Sequence, residues 1–481
     1  PEHERRLLDV LTCLREGVSL DRAKTLLLRN AERHLRAPEE MPGLFSDLPQ
    51  AVENTRRIAE RCTFSFDELP YAFPDYPVPA GESQQSLLEK LTWEGARRRY
   101  GNRLGPKVRA QLEHELALIG KLKLAGYFLI VWDLVRFCNE NKILTQGRGS
   151  AANSAVCYSL GITAVDPVGM GLLFERFLSE ERGEWPDIDL DLPSGEKREA
   201  VIQYVYRRYG RSGAAMCAEV ITYKGRSAIR EVGKVLGIAP EAIDRLARGH
   251  SRFEYQEEST AEERLAQAGL PPRDDRLRLL MELCAELRTL PRHLSQHSGG
   301  MIIAKGRLDE VVPLEPATMP DRTVIQWDKD DCERLGLIKI DLLGLGMMAA
   351  LEEAMEIMAE RGTPVDLANL PHDDPAVYEA AQRADTVGVF QIESRAQMAT
   401  LPRMKPRCFY DLVVEVGLIR PGPIVGKMVH PYLNRRAGRE PVTYAHPSLK
   451  PILERTLGIP LFHEQLMRVA MVAANFSGGE A

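Results

Sequence analysis

The chain has 481 residues, 44% of them hydrophobic and 27% charged, with a formal net charge of -6. That length allows about three or four domains with packed cores. The acidic balance excludes a protein that simply coats nucleic acid, yet permits a DNA enzyme with a local positive groove. The 8 cysteines, at positions 13, 62, 138, 157, 217, 284, 332 and 408, form no C-x-x-C pair. They argue against zinc ribbons and disulfide frameworks and read as isolated thiols of a reducing cytosol. No secretory signal opens the chain, and the apolar run YFLIVWDLV at 127–135 is too short to span a bilayer. A cytoplasmic location with no membrane partner is expected. Both ends, at Pro1 and at FSGGEA, read as cut rather than natural.

Residues 1–62 are predicted as short helices, with Leu7, Leu8, Leu11 and Leu14 at helical spacing and Ser19 as a candidate cap. The Pro-rich LPYAFPDYPVPAG at 69–81 reads as an extended connection between domains. Helices are predicted again over 84–140. A turn follows at GRGS, 147–150, and then a small-residue segment that starts another helix. PDIDLDL at 186–192 alternates Asp with apolar residues, the period of a strand. The Arg-rich stretch 194–250 reads as helical, and 251–275 as an exposed part of an inserted subdomain. Strands are expected at GMIIA, 300–304, and LGLIKID, 335–341. A helix is expected at 345–361, with mainly helical chain beyond it. No repeat or low-complexity tract appears.

Three features carry chemistry. On a strand, Asp187, Asp189 and Asp191 share one face while Ile188, Leu190 and Leu192 face a core. Carboxylates crowded in this way repel unless cations neutralise them, and hard oxygen ligands suit Mg²⁺. Two such ions about 4 Å apart can activate an attacking oxygen and stabilise a leaving one. The bare pattern also fits a solvated edge strand, and it leaves open whether Asp187 or Asp191 partners Asp189. In GRGSAANS, Gly147 and Gly149 permit close backbone geometry, and Ser150 with the first amides of the next helix would make an anion site. It is not a Walker A loop, because no Lys-Ser/Thr pair follows the glycines. In GLIKIDLLGLG, Lys339 and Asp341 share a strand face, where Lys339 could meet phosphate and Asp341 a metal. A surface ion pair would explain that pair alone. Together the three suit phosphoryl transfer, whose catalysis is mostly positioning and charge neutralisation.

GRGSAANS, then LLFERFLSEERGEWPDIDLDL, then GLIKIDLLGLG, resembles the palm of the bacterial DNA polymerase III alpha family, the C-family DNA polymerases. QIESR at 391–395 and LIRPGPIVG at 418–426 resemble the start of that family's fingers. The resemblance implies an α/β fold: a nucleotidyltransferase-type palm over 57–218 and 297–346, a helical thumb inserted at 219–296, and truncated fingers at 347–481. Residues 1–56 would be the tail of a PHP domain whose phosphoesterase metal cluster is missing. It further implies that Asp187, Asp189 and Asp341 are the catalytic carboxylates for two Mg²⁺, with Asp191 as runner-up. Gly149, Ser150, Arg176 and Lys339 would hold the incoming nucleotide. Arg226 and Arg230 of the thumb would contact DNA.

EVITYKGRSAIREVGKVLG and MPDRTVIQWDKDD resemble the error-prone, damage-associated branch. The implied function is template-directed DNA synthesis on a primed template from deoxynucleoside triphosphates, for translesion or repair work. A sliding clamp is expected as partner of the full-length protein, its binding region lying beyond these residues. The rival expectation is a catalytically incomplete DNA-binding or scaffold fragment. Leu192-Pro193-Ser194-Gly195 departs from the Phe and charged stretch that usually follow the strand. His293 and His297, i and i+4 if helical, lack an evident third ligand and read as structural, with a DNA-backbone contact as the alternative. The runs Arg97–Arg99 and Arg207–Arg208 read as solvated helix faces.

Overall fold

The computed structural model describes residues 4–179, 185–253, 260–365, 367, 370, 374–419 and 426–481. Most of LIRPGPIVG, the middle of FLSEERGEW and part of the polar stretch 251–275 lie outside them. The chain is mixed α/β and divides into two compact units, residues 1–69 with 218–296, and residues 70–217 with 297–481.

In the first unit the helix Arg5–Glu16 buries Leu7, Val10 and Cys13 in one core with Ile229, Val232 and Leu280. The helix Gly225–Val235 presents its apolar residues at three- and four-residue spacing and so packs along one stripe. Leu8 lies off the corresponding stripe of the first helix and is exposed, while Leu11 and Leu14 pack only partly. Ser19 sits at a helix start, but its side chain makes no capping hydrogen bond.

Seven strands form one sheet: β1 Gln146–Arg148, β2 Asp189–Pro193, β3 Ala214–Thr222, β4 Pro291–Ile303, β5 Leu314–Pro316, β6 Thr323–Ile325 and β7 Lys339–Leu345. Their order is β1-β2-β7-β4-β3-β6-β5. β2 runs parallel to β7, while β1 and β4 flank that pair in antiparallel sense. The chain leaves the second unit along β3 and returns to it along β4. Four sequence expectations shift here. β2 begins at Asp189 rather than 186, and β7 begins four residues later than expected. β3 occupies part of a stretch read as helical. His293 and His297 lie on β4, not on a helix.

Alternate residues of the central strands fill the core. Ile188, Leu190, Leu192, Ile302 and Leu342 are wholly buried, each such side chain contributing about 1.5–3 kcal/mol. The helix Ala125–Glu140 buries ten of its sixteen residues, nine of them apolar, as a core helix does. The Pro-rich segment is no loose linker. Tyr71 donates to the Ile303 carbonyl at 3.0 Å and accepts from the Ile338 amide at 3.1 Å. Phe73 packs on Tyr127, with ring centroids 5.6 Å apart. Arg208, read as solvated, instead pairs at 3.1 Å with the buried Asp133.

The small-residue segment folds as a 3₁₀ turn, Gly149–Asn153, then a short helix, Ala155–Ser159. The first amides of that helix are not open to a ligand. Buried Glu115 accepts from the Ala155 and Val156 amides, both at 2.9 Å, and from Ser154 Oγ at 2.7 Å. Burial pushes the Glu115 carboxyl above its usual range despite these bonds. Glu115→Ala strands buried amides and should destabilise the chain by roughly 2–4 kcal/mol. Urea unfolding of the variant checks this, and an unchanged midpoint would contradict it.

Candidate active site

The pairing of β2 with β7 sets Asp189 directly opposite Asp341, with Arg148 of β1 beside Asp189 and Gly300 of β4 beside Asp341. Asp187 stands just before β2. One carboxylate oxygen from each of Asp187, Asp189 and Asp341 lies within 4.8 Å of the others. Two like charges that far apart repel by about 3 kcal/mol at an effective dielectric constant of 20. The Asp189 carboxyl is accordingly pushed up to about 6, first by burial, then by Asp187 and Asp341, with Arg148 opposing.

Two cations offset part of this charge. Lys339 Nζ lies 2.7 Å from Asp341 and 3.5 Å from Asp187. Burial works against its charge, but the two carboxylates outweigh burial and hold its pKa above the usual lysine value. Arg148 lies 3.4 Å from Asp189 and 3.0 Å from Asp191. Asp191 is thus on the same face and buried, but its carboxylate is engaged by Arg148 and lies outside the three-carboxylate cluster. Four carboxylates against two cations leave an excess of two negative charges. Asp341 Oδ1 is buried with no hydrogen-bond partner among the described residues. An unpaired buried carboxylate oxygen in a cluster of hard oxygen donors fits a divalent cation.

Backbone pins fix the strands. The buried Tyr127 hydroxyl accepts the Ile188 amide at 3.1 Å, between Asp187 and Asp189. Gly300 has no side chain, and none fits. A Cβ there would sit 2.9 Å from His297 Nδ1, 2.9 Å from Lys339 Cδ and 3.1 Å from Asp341 Oδ1. His297 Nδ1 accepts the amides of Gly299, at 3.2 Å, and Gly300, at 2.7 Å, so a ring proton belongs on Nε2. His297 and the three carboxylates line one cavity of about 690 Å³, together with Trp185 and Lys329.

Residues 86–344 match the family described as Bacterial DNA polymerase III alpha NTPase domain, and residues 347–481 match its finger domain. The chain belongs to the bacterial DNA polymerase III alpha family. It is 53% identical over 477 residues to a protein of Methylococcus capsulatus, 52% over 480 to one of Pseudomonas aeruginosa, and 51% over 478 to one of Mycobacterium tuberculosis. All three relatives are named Error-prone DNA polymerase. Each alignment covers 99% of this chain but only 45%, 46% and 42% of the respective relative. The chain therefore spans under half the length of these curated relatives. Among the described residues no helix is long and apolar enough to cross a membrane.

Of the residues expected to hold a nucleotide besides Lys339, Gly149 and Ser150 lie against the carboxylates, whereas Arg176 pairs elsewhere. Gly149 has φ 70°, a conformation that favours glycine. Ser150 Oγ donates to the Asp187 carbonyl at 3.2 Å. Arg176 pairs with Glu464 of the helix His463–Ala474, and Asn153 of the 3₁₀ turn donates to the Leu173 carbonyl at 2.7 Å. Arg226 and Arg230 belong to the other compact unit, where Arg230 makes a loose 3.9 Å pair with Asp244. Sequence reasoning missed Arg148, Tyr127, Gly300 and Glu464. Arg148 stood in plain view inside GRGS, whereas Glu464 carries no local signal, being 288 residues from its partner.

A carboxyl whose pKa rises on folding costs stability when it ionises. The cost is absent below the ordinary carboxylate range, grows with pH and is complete above about 6 for Asp189. In chelator, Asp189→Asn should therefore match the parent near pH 4 and exceed it at pH 7.5 by about 1 kcal/mol, solvent screening reducing the effect. Urea midpoints at the two pH values test this. A variant less stable at pH 7.5 would contradict it.

Proposed function

We propose that this chain carries the nucleotidyl-transfer centre of a DNA-directed DNA polymerase of the error-prone branch. In this reading residues 57–218 and 297–346 form the palm, 219–296 the thumb, 347–481 the start of the fingers and 1–56 the tail of a PHP domain. The compact unit made of residues 1–69 and 218–296 supports dividing the thumb from the palm, and it groups the thumb with the 1–56 tail. The observation that carries the function is the register of Asp189 against Asp341, with Asp187 alongside and Lys339 between the carboxylates.

Asp187, Asp189 and Asp341 would hold two Mg²⁺ ions. Bound there, the ions supply activation of the attacking oxygen and neutralisation of the leaving one. The protein's own residues do the positioning. Lys339, held in its charged form, meets the triphosphate. The backbone at Gly149 and the Ser150 hydroxyl bring the nucleotide against Asp187, and Arg176 exchanges its pair with Glu464 for phosphate. The primer 3′-oxygen bonds to the alpha phosphorus as the bond to pyrophosphate breaks, with the template strand selecting the nucleotide. Arg148 holds Asp191 and steadies Asp189 from the neighbouring strand.

Primer extension on a primed template, with Mg²⁺ and four deoxynucleotides, tests the proposal in the full-length protein that contains this chain. Asp189→Ala should lower incorporation about a thousandfold or more, the several kcal/mol of charge stabilisation that a bound metal supplies. Lys339→Ala and Ser150→Ala should chiefly raise the nucleotide KM. Undiminished extension by Asp189→Ala would overturn the assignment.

A further inference from the structure

A second charged cavity lies far along the chain from the carboxylates, wholly within residues 402–457, with a volume of about 780 Å³. Arg403, Lys405, Arg407, Arg435, Arg436 and Arg439 line it against one acid, Asp411. A chain of net charge -6 has thus gathered six cations around one hollow.

Two of the six are structural. Arg436 grips Asp411 with both terminal nitrogens, at 2.8 and 2.7 Å, and also donates to the carbonyls of Met404 and Lys405. Arg435 pairs with Glu440 at 3.0 Å. Asp411 is consumed by these bonds and by the Arg407 amide at 2.7 Å, so it neutralises nothing else. Arg403, Lys405, Arg407 and Arg439 are exposed, and among the described residues none has an acidic partner.

The backbone is shaped to hold them so. The helix Arg395–Met404 ends at Lys405 with φ 52°, a left-handed conformation uncommon for a lysine and stabilised here by Arg436. Met404 and Pro406 turn inward and are buried, while residues 403, 405 and 407 turn out. A merely solvated charge run needs neither the left-handed turn nor the half-buried arginine that ties it down. Among the described residues the cavity has no aromatic lining on which a base could stack.

We infer that this basin binds the phosphodiester backbone of nucleic acid, through phosphates alone and without reading sequence. The inference goes beyond the polymerase reading and does not depend on it, since it concerns binding at a place other than the carboxylates.

The test is fluorescence anisotropy of a labelled oligonucleotide with the whole 481-residue chain, from low to moderate salt. Arg403→Ala/Arg407→Ala/Arg439→Ala removes charges that hold no internal partner, so the fold should persist. Binding should weaken at least tenfold at low salt. The plot of log affinity against log salt should flatten by about 2, since each lost phosphate contact on a single strand removes about 0.7. The matching triple Lys variant should retain most of the slope. Unchanged affinity and slope in the Ala variant, or no binding by the parent chain, would overturn the inference. So would competition by inorganic triphosphate as effective as that by an oligonucleotide of equal phosphate content, which would mark a small-anion site. A flattened slope in the Ala variant, with failed primer extension by the full-length protein, would sustain the basin while removing the polymerase reading.

Discussion

Two parallel strands, β2 and β7, place a carboxylate directly opposite a carboxylate, and the surrounding structure is organised around the repulsion that results. Asp189 and Asp341 are neighbours across the sheet, and Asp187 closes the group from just outside β2. Water cannot relieve the crowding fully, because Asp341 is nearly buried. Lys339 and Arg148 lean in from the same strand and the adjacent one, and Gly300 leaves the space that the crowded side chains need. Tyr127 and Tyr71, from separate parts of the chain, hold the backbone just before each acidic strand. A cluster still short of two positive charges suits divalent cations, since its electrostatic strain falls when cations bind, as it does when Asp189 takes up a proton.

The acidic strand was legible because its period of two survives in any context. Asp at every second position puts the acids on one face and Ile188, Leu190 and Leu192 in the core, and those three are wholly buried. The same period cannot separate Asp187 from Asp191. What separates them is Arg148, 43 residues earlier, which engages Asp191 across a strand pair. A cross-strand partner is a tertiary fact, invisible to spacing along one segment.

Other features escaped for equally physical reasons. β3, AAMCAEVIT, is rich in small and sulfur-bearing residues that mark neither a strand nor a helix, and it sits among Arg-rich helices. The short helix after GRGS looked like a free anion site, but Glu115 from another helix had already filled its amino end. The basin at residues 402–457 was hidden because its cations come from two stretches, each of which alone reads as an ordinary charged surface. Its meaning depends on which acids are already spent, and that requires coordinates. The long motifs fared better. Several of them in one order pointed to a family that then matched over nearly the whole chain.

The central claim is that the three carboxylates form a divalent-cation site, and metal binding tests it apart from any activity. Mn²⁺ can be titrated into the metal-free chain by electron paramagnetic resonance, beside Asp189→Asn and Asp341→Asn. The account predicts saturable binding to the parent chain, with a gain in thermal stability, and loss of both in either variant. Equal binding by parent and variants, or no binding at all, would contradict it.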